Sequence, residues 1–228
     1  MTHAAAAPSA HDDTHGHPPT STGLDNKKIA IWAFIGSECM LFASLISTYL
    51  IYKGRSVVGP FAHEACAGPP ACAKAAPAIL NIPVTSASTF VLLMSSLAMV
   101  LALAAVENKD QPKRTTGERI LGSSKLWLWM TALLGATFLG FQAYEFTSFV
   151  HEGLTIKTNL FGSSFFTLTG FHGAHVTAGV LWLLTLLAID YRRGLGPKDA
   201  INVDIAALYW HFVDVVWIAI FTLVYLIQ

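Results

Sequence analysis

The chain has 228 residues, of which 54% are hydrophobic and only 12% are charged, and its 14 basic and 14 acidic side chains cancel. Soluble domains carry about 25% charged residues, so this composition and the mean hydropathy of +0.53 favour a polytopic membrane protein. The balanced charge argues against a nucleic-acid partner, which requires a basic surface, and three cysteines are too few for a disulfide scaffold.

Residues 1–26 contain few large apolar side chains and no apolar core of the kind found in a secretory signal. Four histidines lie there beside two aspartates: His3, His11, His15 and His17 with Asp12 and Asp13. Such a cluster could bind a metal weakly, but the composition predicts a solvated, disordered tail. Residues 27–228 are predicted to form the folded membrane domain.

Five apolar segments are long enough to cross a hydrocarbon core as helices, which takes about 20 residues each. They are residues 29–52, 84–106, 126–150, 163–189 and 205–227. The predicted fold class is therefore all-α, a bundle of five transmembrane helices.

The distribution of Lys and Arg predicts the orientation of this bundle. Ten of these residues lie on the side of the N-terminal tail and only four on the other side. The N-terminus is therefore expected in the cytoplasm and the C-terminus outside.

The loop of residues 53–83 would then face an oxidising space in a bacterium. Cys66 and Cys72 lie there, separated by a Gly-Pro-Pro turn. A disulfide between them is predicted on compartment grounds, with two free thiols as the alternative. Cys39 lies within the first helix, where it is expected to pack.

Glu38 lies nine residues into the first helix, about 13 Å deep and near the middle of a hydrocarbon core of about 30 Å. A charge at that depth does not face lipid. Two interpretations stay open: a proton-handling or subunit-contact site, and a protonated structural glutamate.

His172 and His175 share a helix face three residues apart. A metal site would need further ligands from elsewhere in the chain, and few candidates exist. Gly170, Ala174 and Ala178 recur every four residues and Gly173 adds to the small surface, a pattern typical of close helix packing in lipid. Imidazole hydrogen bonds across helices are therefore predicted, and no metal.

Two further polar pairs have the same spacing of three residues. Gln142 and Glu145 share a face of the third helix that should point into the bundle. His211 and Asp214, early in the fifth helix, could form either a relay or a mutually satisfied pair. The spacing of these groups indicates no self-sufficient catalytic site in the chain.

Several stretches resemble subunit III of the haem–copper oxidases, most closely the cytochrome c oxidase form. They occur in the family's order and extend from the first helix to the last. The matching stretches are residues 36–38 with 40–42, residues 80–89, residues 141–146, residues 161–179 and residues 209–217.

The resemblance implies an accessory subunit that packs against subunit I, sustains proton uptake and protects the active site. Haems and coppers would belong to subunits I and II, so no cofactor is expected in this chain other than bound phospholipid. The complex would take electrons from cytochrome c and reduce O₂ to water in a bacterial plasma membrane. Glu38 matches the family's buried glutamate in the helix that faces subunit I.

The chain resembles the short form of the family, which lacks two helices of the seven-helix form, the helices on which the family's lipid cleft depends. A quinol oxidase or nitric oxide reductase subunit is the nearest alternative function. A free-standing transporter or proton channel is a more distant one, because the chain shows no internal repeats.

Overall fold

The computed structural model describes residues 25–53, 80–109 and 122–227. These residues form five long helices and contain no strand. The helices are α1 (Asn26–Tyr52), α2 (Ile82–Glu107), α3 (Ser124–His151), α4 (Leu160–Arg192) and α5 (Ala200–Ile220). A short 3₁₀ turn, Pro197–Asp199, precedes α5, and a π-helical segment, Phe221–Leu226, continues it. The all-α prediction is confirmed, since all five are long and apolar enough to span a membrane.

Polar capping residues explain why the helices extend beyond the apolar segments. The Asp25 carboxylate accepts from the backbone N–H of Lys27 at 2.8 Å, and the Asn159 amide oxygen accepts from Gly162 at 2.6 Å. Such caps satisfy N–H groups that have no partner inside the helix. Helix α4 consequently begins three residues before the predicted position. Of the predicted tail, residues 1–24 lie outside the described residues.

Successive helices run antiparallel, which gives the bundle two ends. We call the end where α1 begins the proximal end and the end where it finishes the distal end. At the proximal end Lys28 forms a salt bridge of 2.6 Å with Asp204, just inside α5. At the distal end the Lys53 ammonium donates to the carbonyl of Ile227, and partial burial lowers the pKa of Lys53.

Helix α5 is the most buried span and α1 the least. Helix α2 packs against α3 and α5, α3 packs against α4, and α4 packs against α5, while α1 covers α4 and α5. Only three side chains of α1 are buried: Ile31, Phe42 and Tyr49. Most of the α1 surface is thus exposed, whereas α5 forms the core.

Trp210 of α5 sits between glycines of two neighbouring helices. A Cβ atom at Gly135 of α3 would lie 2.5 Å from the Trp210 ring, and one at Gly179 of α4 would lie 2.8 Å from it. The indole N–H donates to the Ser95 hydroxyl of α2 at 3.0 Å. This side chain of α5 therefore contacts α2, α3 and α4. Glycine is required at positions 135 and 179, where the ring packs directly against a helix backbone.

The predicted small-residue surface of α4 packs closely within this bundle at only one of its positions. A Cβ atom at Gly170 would meet nothing within 4 Å in the described part of the chain, and Ala174 and Ala178 are exposed. Gly173 makes the close approach, since a Cβ there would lie 2.6 Å from the Gln142 amide oxygen. Close packing within the bundle therefore occurs at Gly173 and not at Gly170, Ala174 or Ala178.

Candidate functional site at the interface of the first and fourth helices

Glu38 of α1 pairs with His175 of α4 within the membrane span. Its Oε2 atom lies 3.1 Å from His175 Nε2, and the two side chains are only 17% and 16% exposed. The glutamate therefore points into the bundle and not toward lipid. A buried carboxyl is costly unless it is paired, and the imidazole provides that partner.

The second nitrogen of His175 determines how many protons the pair holds. Nδ1 lies 2.7 Å from the carbonyl oxygen of Phe171, which can only accept, so Nδ1 carries a hydrogen. The bond between Nε2 and Oε2 then contains one proton, on the carboxyl or on the imidazole. Both forms have zero net charge. The pair can thus shift a proton between two atoms without placing a net charge in the bundle.

Aromatic rings and a tyrosine hold this pair in place. Phe42 packs edge-on against the His175 ring with 5.0 Å between centroids. The Tyr209 hydroxyl of α5 donates to the His175 carbonyl at 3.0 Å, and Phe34 packs against Tyr209. Residues from α1, α4 and α5 therefore meet at one point.

His172 lies one turn away but has a different environment. It is fully buried, and its ring stacks on Trp217 at 4.9 Å and meets Phe138 edge-on at 5.7 Å. Neither ring nitrogen has a hydrogen-bond partner among the described residues. The structure therefore has the predicted cross-helix imidazole bond at His175 but not at His172, which serves as an aromatic packing group.

His211 and Asp214 do not hydrogen bond to each other, so they are not the mutually satisfied pair that their spacing allowed. His211 Nδ1 shares a hydrogen bond of 2.6 Å with the Ser96 hydroxyl of α2. Asp214 is 4% exposed, and both its carboxyl oxygens are without a hydrogen-bond partner in the part of the chain described. Ser96 also lies near Asp214, and the donor in the bond between Ser96 Oγ and His211 Nδ1 depends on the imidazole tautomer.

Gln142 and Glu145 are both buried, and they tie α3 to two different helices. The Gln142 amide donates to the Thr169 carbonyl of α4 at 2.7 Å. The Glu145 carboxyl group accepts a hydrogen bond from the Thr85 hydroxyl of α2. Gln142 and Glu145 therefore share a face of α3, as predicted, but bond to different helices.

Asp190 is a buried polar residue that the sequence pattern did not single out. It is 1% exposed, accepts from the Ser124 hydroxyl at 2.6 Å and caps the backbone N–H of Leu195 at 2.8 Å. Asp190 lies two residues before Arg192, the last residue of α4. Gly194 has a φ of 74° and reverses the chain after α4. The reversal brings the Leu195 backbone N–H to the Asp190 carboxylate, which caps the proximal end of α4.

The cysteines and candidate metal ligands give two further results. Cys39 is exposed on α1, so it does not pack inside this bundle. Cys66 and Cys72 lie outside the described residues, and their disulfide stays a prediction.

Across residues 25–53, 80–109 and 122–227 no three His, Cys, Asp or Glu side chains form a group that could hold a metal. The expected lack of metal in the whole chain is still a prediction.

Five membrane-length helices joined by buried polar contacts define the class: the chain is a multi-pass helical membrane protein. Comparison with known families makes this specific. The chain belongs to the cytochrome c oxidase subunit III family, whose model matches residues 10–228.

Relatives within the family are named as subunits of cytochrome c oxidases and of quinol oxidases. The chain is 43% identical to cytochrome c oxidase subunit 3 of Bacillus sp. (strain PS3), over 88% of this chain and 86% of the relative. It is 35% identical to cytochrome bo(3) ubiquinol oxidase subunit 3 of Pseudomonas aeruginosa, over 95% and 92%. It is 36% identical to quinol oxidase subunit 3 of Bacillus subtilis, over 87% and 85%. The chain is therefore subunit III of a haem–copper oxidase.

Proposed function

We propose that this chain is the accessory, non-redox subunit of a proton-pumping cytochrome c oxidase, and that it stabilises subunit I and supports proton uptake into it. The Glu38–His175 pair carries this proposal. It places one transferable proton in α1, whose remaining surface is apolar and exposed. That surface includes Trp32, Met40 and Leu50, at 53%, 76% and 44% exposure. Large apolar surfaces of this kind indicate contact with lipid or another subunit.

Cytochrome c is the proposed electron donor, because the relative with 43% identity is named a cytochrome c oxidase subunit and the quinol oxidase relatives have 35–36%. A quinol oxidase subunit is the second candidate, supported by those same relatives. Membership of the subunit III family argues against a free-standing transporter or proton channel.

Haems and coppers are proposed to reside in subunits I and II, with phospholipid as the only small molecule bound by this chain. The complex would lie in a bacterial plasma membrane with the proximal end of the bundle in the cytoplasm. The positive-inside rule supports that orientation, since ten of the 14 Lys and Arg residues belong to the proximal side.

Two substitutions of Glu38 in the intact complex separate proton handling from assembly. In Glu38→Gln the new amide can still donate to His175 Nε2, so this variant should keep the chain in the complex while slowing proton uptake during turnover. Glu38→Ala leaves the imidazole without its partner, at a cost of about 1–3 kcal/mol, and should also weaken retention of the chain. Unchanged proton uptake in Glu38→Gln at every pH would show that the pair is structural only.

The donor is tested by purifying the tagged chain from its native membrane. A haem–copper complex that oxidises reduced cytochrome c supports the first candidate. A complex that oxidises only quinol supports the second, and a preparation without haem contradicts both.

A further inference from the structure

Asp214 is a buried carboxyl group near the middle of the membrane span of α5. Its side chain is 4% exposed, and neither oxygen has a hydrogen-bond partner among the described residues. A polar group at this depth is costly unless a donor or an acceptor reaches it, and such groups often mark proton pathways. The Glu38–His175 pair does not involve Asp214, so the role of this carboxyl group is still open.

A serine and a histidine lie beside this carboxyl group. His211 precedes Asp214 by one helical turn, and its Nδ1 atom lies 2.6 Å from the Ser96 hydroxyl of α2. Ser96 also lies near Asp214, although no hydrogen bond joins these two side chains in the structure. A hydroxyl group both donates and accepts, so Ser96 can accept a proton from one neighbour while it donates its own to the other. Ser96 is therefore the group that can connect Asp214 with His211.

His211 brings this group of residues to the surface of the bundle. It is only half-buried, whereas Asp214 is enclosed. Asp204, Leu208 and His211 are all partly exposed and recur every three or four residues, so they form one uncovered stripe of α5. The stripe begins at the proximal end, where Asp204 pairs with Lys28, and His211 lies about 10 Å further along the helix. His211 is thus the member of the group that is nearest to water.

We propose that Asp214, Ser96 and His211 form a proton relay between the interior of the bundle and water at its surface. The protonated carboxyl group of Asp214 donates to Ser96 Oγ while the Ser96 hydroxyl donates its own proton to His211 Nδ1. The imidazole, which starts as the neutral tautomer with its hydrogen on Nε2, then releases that hydrogen to a water molecule. The same steps in reverse return a proton to the Asp214 carboxylate. A rotation of the Ser96 or Asp214 side chain brings the two groups within hydrogen-bonding distance before each transfer.

This relay is separate from the Glu38–His175 pair. The pair joins α1 to α4, whereas the relay joins α2 to α5. The inference therefore goes beyond the proposed function, and it is tested on the resting complex, in which no turnover is needed. Failure of the relay would leave the proposed proton uptake through Glu38 intact, and the reverse also holds.

Hydrogen–deuterium exchange of the Asp214 carboxyl group tests the relay in the intact complex. The infrared band of protonated Asp214 is identified as the band lost in Asp214→Asn, and its shift is followed after transfer into D₂O. Ser96→Ala and His211→Phe each interrupt the relay and should slow this shift by about tenfold or more, which corresponds to a barrier about 1.4 kcal/mol higher. Destabilisation alone would act in the opposite direction, because local opening of the bundle speeds exchange.

Ser88→Ala is the matched control, since Ser88 is another buried serine of α2 and its hydroxyl donates to the Thr85 carbonyl of its own helix. This variant and Ser96→Thr, which retains a hydroxyl group, should both exchange at the wild-type rate. A wild-type rate in Ser96→Ala would overturn the proposal, as would a wild-type complex in which Asp214 has no protonated band or never exchanges. If Ser96→Ala does not assemble, a wild-type rate in His211→Phe overturns the proposal equally.

Discussion

Single residues decide much of the packing in this bundle, and Trp210 is the clearest case. Its ring fills the space beside Gly135 and Gly179, while its N–H group is bonded to Ser95. In lipid, helices associate through such close contacts and hydrogen bonds and not through the hydrophobic effect. The stability of the bundle should therefore be sensitive to volume at these glycines and insensitive at glycines on the surface.

We predict that Gly135→Ala destabilises the protein by about 1–3 kcal/mol, because the new methyl group overlaps a rigid indole ring. Gly140→Ala on the same helix is the control. A Cβ there meets nothing within 4 Å in the described structure, and alanine favours a helix over glycine by up to about 1 kcal/mol. Thermal unfolding in detergent should separate the two variants, and equal melting temperatures would contradict the packing described for Trp210.

Asp214 allows a second prediction at this scale. Both carboxyl oxygens are buried and have no partner within the described part of the chain, so the ionised form would be strongly disfavoured. We expect Asp214 to be protonated at neutral pH and Asp214→Asn to fold normally. The infrared spectrum should contain a protonated-carboxyl band that disappears in Asp214→Asn. The exposed-site variant Glu152→Gln should keep that band, and an ionised Asp214 would contradict the prediction.

At the scale of elements, α4 shows how one helix face serves two neighbours. His175 reaches Glu38 of α1, while His172, three residues earlier, stacks on Trp217 of α5. The two histidines share a spacing that suggested a common role. Their roles differ because α1 and α5 flank α4 at different angles around its axis.

The same substitution at both histidines tests this difference. His172→Phe keeps an aromatic ring and loses no hydrogen bond in the described structure, so its cost should stay below about 1.5 kcal/mol. His175→Phe leaves Glu38 without its partner and should cost about 1–3 kcal/mol. Thermal unfolding and the retention of the chain in the complex report both effects. Equal costs at the two positions would show that the pair with Glu38 does not stabilise the contact of α1 with α4.

For the whole molecule, the five antiparallel helices place the chain termini of the membrane domain at opposite ends. Polar contacts link the first helix to the last part of the chain at both ends. Lys28 forms a salt bridge with Asp204 at the proximal end, and Lys53 donates to the Ile227 carbonyl at the distal end. The proposed orientation puts the proximal end in the cytoplasm, where the excess of basic residues belongs.

Labelling of introduced cysteines in intact cells would test this orientation. With Cys39, Cys66 and Cys72 replaced by Ser, Lys157→Cys at the distal end should react with a membrane-impermeant maleimide. Lys198→Cys at the proximal end should react only after permeabilisation. Both positions are exposed in the structure, so a difference reflects the side of the membrane. The reverse pattern would overturn the proposed orientation.

By itself the sequence determined the number of helices, their approximate limits and the family. The reason is that a hydrocarbon core requires about 20 apolar residues per helix and leaves few alternatives. It also identified Glu38, Gln142, Glu145, His172, His175, His211 and Asp214 as the polar residues to examine, because polar side chains are rare within such segments.

Only the tertiary structure decided the partners of these residues. Spacing along a helix shows which side chains share a face, but the neighbour on that face depends on how the helices pack around each other. For this reason Glu38 was found with His175, His172 with Trp217, and close packing at Gly135 and Gly179 instead of Gly170. The contact of Ser96 with His211 and the capping role of Asp190 likewise depend on contacts between segments distant in the chain.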